Sequence, residues 1–116
     1  MQKLMNEDIK CIDILRCVLN LNRLEADVYS NLVHGGPARV EELSELMGKD
    51  RSTVYRALQK LISCRLCYRD TKTIERGGYY HVYSAIPPKA VKKEAKKCIN
   101  NWYRSMKNAL KKFDEF

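Results

Sequence analysis

Between residues 40 and 64 two amphipathic segments are separated only by Gly48-Lys49-Asp50. The first, VEELSELM over 40–47, places Val40, Leu43, Leu46 and Met47 on one side at helical spacing. Glu41 and Glu42 fall in its first turn, where the helix dipole favours anions. In the second segment, 51–64, one face is Val54, Ala57, Leu58, Leu61 and Ile62. Another is Ser52, Tyr55, Arg56 and Gln59 at i, i+3, i+4, i+7, with Lys60 beside it. Gly48 stops the first helix and Asp50 is a good N-cap for the second. So short a connection restricts the pair to a tight helix-turn-helix, with both apolar faces in one core.

The flanking pattern completes the fold. EDIKCIDILRCVL (7–19) spaces Ile9, Ile12, Leu15 and Leu19 helically, and Cys11, Ile14 and Val18 widen its apolar side. NRLEADVYSNLVH (22–34) gives a further helix with Leu24, Val28, Leu32 and Val33 inward, closed by Gly35-Gly36-Pro37. After residue 66, two runs rich in Tyr, Val and Thr flank Glu75-Arg76-Gly77-Gly78, which signals a β-hairpin. On the second strand His81 points outward if Tyr80 and Val82 point inward. Pro87-Pro88 opens a last helix to about residue 113. Its stripe of Val91, Ala95, Cys98, Trp102, Met106, Ala109 and Phe113 is too long to be covered by so small a domain. It predicts packing on a partner chain or on the apolar first helix. Trp102 and Tyr103 read as interface knobs rather than as the lining of a ligand pocket.

The expected fold class is therefore mainly α with a small β-hairpin. A winged helix-turn-helix over 21–86 is flanked by an N-terminal helix (1–20) and a long C-terminal helix (87–116), both used for homodimerisation.

The charge is unevenly placed. Residues 1–48 carry five basic and eight acidic side chains, a net −3; residues 49–78 carry eight and three, a net +5; residues 87–116 carry nine and three, a net +6. The positive half coincides with the second helix of the pair, the hairpin and the last helix, so a polyanion would meet those elements. On an isolated helix, Ser52, Tyr55, Arg56, Gln59 and Lys60 would be an ordinary solvated face. The tight turn, the basic hairpin and the local +5 together favour double-stranded DNA. Arg56 and Gln59 are base-reading types, for guanine and adenine. Ser52, Thr53 and Tyr55 suit phosphates or thymine methyls, and Arg51 and Lys60 suit phosphates. The hairpin tip, with Lys72, Arg76, Gly77 and Gly78, is small and basic enough to follow a backbone or enter a minor groove.

The stretches LNRLEADVYSNL, GPARVEELSELMGKDRSTVYRALQKL and YYHVYSAIPPKAV resemble archaeal-type winged-helix transcriptional regulators of the TrmB-like family, which overlaps the MarR-like group. RSTVYRAL-x-x-L is the most specific part. The resemblance implies a DNA-binding dimer with Arg51, Ser52, Thr53, Tyr55 and Arg56 on the reading helix and Arg76 to Gly78 in the wing. The chain departs from the family pattern in three places. Arg39 stands where a helix cap is usual, and Arg65 stands where glycine is usual; if the helix still ends in a left-handed turn there, arginine must adopt it at some cost. Full-length members also continue into a sugar-binding domain where this chain ends, so the resemblance brings no carbohydrate effector with it.

Two further readings compete with DNA recognition. A winged-helix surface or the long helix can dock a component of the transcription machinery. Cys64-Arg65-Leu66-Cys67 is a C-x-x-C pair of the kind found in thiol or zinc-responsive regulators. Cys11, Cys17, Cys98, His34 and His81 are the other ligand types, and none forms a second paired knuckle. Core packing explains Cys64 and Cys67 more simply, and capping or surface roles explain the histidines. No metal or cofactor is expected. Neither a phosphate loop, a nucleophile elbow nor a catalytic carboxylate pair occurs, so enzymatic activity is not expected. Five cysteines at irregular spacing, an N-terminus without an apolar signal region and the lack of a membrane-length apolar run suggest a reduced, cytoplasmic protein.

Overall fold

The computed structural model describes residues 15, 16 and 19–116. Of the expected first helix, Ile9, Cys11, Ile12, Ile14, Cys17 and Val18 lie outside the described residues. The elements are α1 (Arg23–Gly35), α2 (Val40–Met47), α3 (Arg51–Ser63), β1 (Cys67–Thr73), β2 (Tyr79–Ala85) and α4 (Pro88–Lys111), with a 3₁₀ turn at Phe113–Glu115. This is the winged helix-turn-helix order.

Each helix start is set locally. Asn22 caps α1 in a reciprocal box: its side chain accepts from the Glu25 amide at 2.7 Å, and Glu25 Oε1 accepts from the Asn22 amide at 2.9 Å. Asp50 caps α3, its carboxylate accepting from the Thr53 amide at 3.2 Å and from the hydroxyls of Ser52 at 2.6 Å and Thr53 at 2.5 Å. These bonds, Ser52's foremost, hold the Asp50 carboxyl down at about 2. The start of α2 is half-capped. Glu42 Oε1 accepts from the Arg39 amide at 2.8 Å, but the Arg39 side chain has no acceptor to return.

The helix ends are equally specific. Gly48 closes α2 in a left-handed conformation (φ 63°). Arg65 does the same for α3 (φ 61°), so the helix does end in a left-handed turn at the place where the family pattern has glycine. There the Arg65 amide donates to Ile62 O at 3.0 Å and the Leu66 amide to Leu61 O at 2.9 Å. That is the Schellman arrangement, with Leu66 and Leu61 both buried beneath it. Arginine therefore sits in a conformation whose side-chain penalty glycine would not meet.

Val28, Leu32, Leu43, Val54, Leu58, Leu61, Leu66 and Tyr83 form the centre of one core, with Leu24, Val33, Met47 and Ile62 at its margin. Leu46 is a correction. It is 71% exposed, because the eight-residue α2 buries Val40 and Leu43 and turns Leu46 to solvent. Leu15 is buried in this same core and the partly buried Leu19 packs on its edge, so both contribute to packing within the chain.

β1 and β2 pair antiparallel from Cys67↔Ala85 to Thr73↔Tyr79. The turn between them needs φ of 100° at Gly77 and 88° at Gly78, which suits only glycines. A third, one-residue strand was not anticipated. Ala38 N–H donates to Tyr83 O at 3.0 Å, and Tyr83 N–H donates to Ala38 O at 2.8 Å. Tyr83 is 1% exposed and is the strand's anchor in the core. The expected alternation is thus corrected: Tyr83 turns inward, and His81 lies on the same side of the strand, its Nδ1 3.1 Å from Thr71 Oγ1. Tyr29 Oη donates to Ile86 O at 2.9 Å and ties the wing's base to α1.

In α4 only Val91 and Ala95 are buried, and Cys98 is half-buried. These three are shielded, fully or in part, within their own chain. Trp102 (64%), Met106, Ala109 and Phe113 (67%) are exposed.

Two outcomes follow from the helix ends. Replacing Arg65 by glycine relieves the left-handed backbone but adds freedom to the unfolded chain, so Arg65→Gly should raise stability by about 0.5–1 kcal/mol, seen as a higher urea midpoint with unchanged slope. For Asp50 the folded carboxyl titrates near 2 and the ordinary value is 3.8. Its stabilisation is therefore complete above the ordinary value and is lost as pH falls towards 2. Asp50→Asn retains a capping oxygen that does not titrate, so its thermal midpoint should fall less steeply than wild type between about pH 4 and about pH 2.

Candidate nucleic-acid interface

The front of α3 is built by its cap and its buried face. With Val54, Ala57, Leu58 and Leu61 in the core, the helix must turn Arg51, Ser52, Tyr55 and Arg56 to solvent. Gln59 and Lys60 are half-buried, further along the same side. The polar row read from the sequence is thus a surface at its N-terminal end and recedes towards its C-terminal end.

Ser52 and Thr53 are already engaged, since both hydroxyl protons point to Asp50. They keep lone pairs to offer, but a bond donated to a phosphate would compete with the cap. Arg51 is also partnered: its Nε donates to Glu41 Oε1 at 3.2 Å. Tyr55 and Arg56 have no hydrogen-bond or ion-pair partner among the described residues, which leaves them free for an external one.

On the wing, Lys72, Arg76, Gly77 and Gly78 are exposed at or near the hairpin tip. Arg69 faces Tyr83 across the ladder. Burial, first of all, pushes the Tyr83 hydroxyl above its ordinary value, and the neighbouring Arg69 cation partly offsets this.

Sequence reasoning missed the groove between these parts. Arg39 at the start of α2, Arg51 and Tyr55 at the start of α3, and Tyr80 and His81 of β2 line one depression. The Arg39 guanidinium lies 4.6 Å from the centre of the Tyr80 ring. Glu41 sits between the two arginines, 3.7 Å from Arg39 Nε through its second oxygen. A hydrogen bond from its own backbone amide, and then Arg51, hold the Glu41 carboxyl below its ordinary value. Arg39 is recognisable in sequence only as an unsuitable cap. The bridge from Ala38 to Tyr83, which carries Arg39 to the wing, has no local sequence signal.

The cysteine pair separates into two environments. Cys64 is exposed at the end of α3, contrary to the packing role expected of it, because the Schellman turn directs Leu66 rather than Cys64 inward. Cys67 is buried, and burial pushes its thiol up to about 11, leaving little thiolate at neutral pH. Among the described residues, no three His, Cys, Asp or Glu side chains come together as a metal site. Nor is any described helix long and apolar enough to cross a membrane.

Comparison with known proteins agrees with this architecture. Two relatives from Methanocaldococcus jannaschii, the uncharacterized proteins MJ1503 and MJ1082, are each 35% identical to the chain. The first match covers 87% of this chain and 76% of the relative, and the second 89% and 85%. A possible transcriptional regulator from Methanosarcina mazei Go1 has a similar structure, with a TM-score of 0.79 at 23% identity, over 90% of this chain and 89% of that one. The transcriptional regulator BldR from Sulfolobus solfataricus matches at a TM-score of 0.54 and 18% identity, over 89% and 73%. At these identities the structural matches speak for the fold alone. Residues 15–89 match the family model described as sugar-specific transcriptional regulator TrmB. The chain therefore belongs to the TrmB family of winged-helix transcriptional regulators.

Proposed function

We propose that the protein is a sequence-specific double-stranded DNA-binding regulator that acts as a homodimer. The observation that carries this reading is the outward pair Tyr55 and Arg56, held without internal partners among the described residues at the front of a helix whose opposite face is buried. In this reading α3 enters the major groove. Arg56 reads a guanine edge through two hydrogen bonds, Tyr55 and Arg51 contact the adjacent backbone, and Gln59 reaches a base from its half-buried position. The wing tip, through Lys72, Arg76 and the small Gly77-Gly78 turn, lies along the backbone or in the flanking minor groove. Lys60 adds a phosphate contact.

The homodimer is supported by the distal part of α4. Trp102, Met106, Leu110 and Phe113 are exposed on a helix that carries little of its apolar stripe into its own core. Such a run favours burial against a second copy, with aromatic side chains as the main anchors. Two reading helices would then meet successive major grooves about 34–36 Å apart on a two-fold symmetric site. Docking to another component of the transcription machinery would use the same stripe without a two-fold DNA site. A thiol-based response through Cys64 and Cys67 is disfavoured by the burial of Cys67.

Selection of bound sites from random duplex DNA tests the assignment. Arg56→Ala should lose about 1–3 kcal/mol on the preferred site and relax one base position, whereas Lys72→Ala should weaken all sequences evenly. Reversed behaviour of the two variants would overturn the roles given to them. For the dimer, Trp102→Asp combined with Met106→Asp should yield a folded monomer by sedimentation. A double variant that sediments as the wild-type dimer would remove α4 from the interface.

A further inference from the structure

The wing groove holds a set of charges that stability does not explain. Its volume is about 370 Å³, and it opens between the starts of α2 and α3 and the β2 strand. Two guanidinium groups converge there on the single carboxylate of Glu41, Arg51 Nε at 3.2 Å and Arg39 Nε at 3.7 Å. All three side chains are about half exposed, with relative accessibilities of 47% for Arg39, 52% for Glu41 and 64% for Arg51. Exposed ion pairs of this kind contribute little to folding. Arg39 is moreover a poor choice for the cap position it occupies, and α2 is left half-capped as a result.

The geometry suits an oxyanion. The Arg39 guanidinium lies over the Tyr80 ring, 4.6 Å from its centre, a contact that restrains it at the lining of the groove. Arg51, in the first turn of α3, approaches from the other side. A carboxylate held between two such groups occupies the place that a phosphate would take, since guanidinium pairs with both through the same forked hydrogen bonds. Tyr55 lines the same groove beside Arg51 and adds a neutral donor.

We propose that Arg39 and Arg51 form a clamp for one phosphodiester of the duplex backbone, and that Glu41 fills this clamp in the free protein and is displaced when DNA seats. The proposal rests on the DNA-binding reading above, in which the front of α3 and the wing face the duplex on either side of this groove. Arg39 and Tyr80 thereby become positioning residues for DNA, and Glu41 becomes an internal competitor. Because phosphates are the same in every sequence, Glu41 lowers the affinity for all duplexes alike and leaves base preference to the rest of α3.

The test is equilibrium binding of the full chain to its selected site and to a random duplex over a range of salt concentrations, with Glu41→Gln, Arg39→Gln and the double variant. Glu41→Gln should bind both duplexes roughly three- to tenfold more tightly, with a salt slope steeper by up to about 0.9. Arg39→Gln should weaken both evenly and make the slope shallower by a similar amount. In the double variant the gain from Glu41→Gln should shrink, because the carboxylate then competes for one guanidinium instead of two. Glu41→Gln protein that binds no tighter than wild type, or strictly additive effects in the double variant, would overturn the clamp while leaving the DNA reading intact. Wild-type protein without salt-dependent duplex binding would overturn both. Thermal midpoints of the variants serve as the folding control; if Arg39→Gln unfolds, Glu41→Gln alone decides.

Discussion

Two backbone hydrogen bonds between Ala38 and Tyr83 fix the relation between the helices and the wing. Without them the hairpin would be joined to the helical core chiefly through its base. A two-stranded hairpin alone is marginal in water, so its direction must come from what it packs on. Here the third strand is one residue long, but it is paired to Tyr83, whose side chain belongs to the hydrophobic core and is almost completely buried. Tyr29, bonded to Ile86 O, pins the residue just after β2 to α1. The wing is thus held at Tyr83 within β2 and at Ile86 just after it, and its tip projects from this base.

The same bridge governs the electrostatics of the surface. Ala38 lies immediately before Arg39, so pairing with β2 brings the start of α2 beside Tyr80. The tight turn at Gly48 then folds the start of α3 back towards the start of α2, and Arg51 meets Glu41 ten residues upstream. Cap, turn and bridge are separate local events. Their combined result is a polar groove at the junction of three elements, lined in part by Tyr55 and next to the exposed Arg56.

Stability and surface chemistry compete at several of these positions. Asp50 caps α3 by accepting from Ser52 and Thr53, which withdraws two hydroxyl donors from the face that would meet DNA. Arg65 takes a left-handed conformation that glycine would adopt without side-chain strain, and adds a charge beside the base of the wing. Arg39 replaces a capping side chain and leaves α2 with one reciprocal bond instead of two. Each departure from the best local choice lies on or next to the basic face of the protein, as expected where function and folding make different demands on one residue.

The order of elements, their boundaries to within a few residues, the helix pair and the exposed front of α3 were legible from the sequence, because these depend on local periodicity, caps and glycine turns that act over three or four residues. The left-handed turn at Arg65 was legible only through the family resemblance, in which glycine is usual at that position. The inward turn of Tyr83, the exposure of Leu46 and Cys64, and the burial of Leu15 in its own chain were decided only by the tertiary structure. Each depends on which surface an apolar residue meets, and residues far apart in the chain provide that surface. The groove of Arg39, Glu41, Arg51 and Tyr80 belongs to the second group for the same reason. No spacing rule relates residue 39 to residue 80, and only the pairing of Ala38 with Tyr83 brings them together.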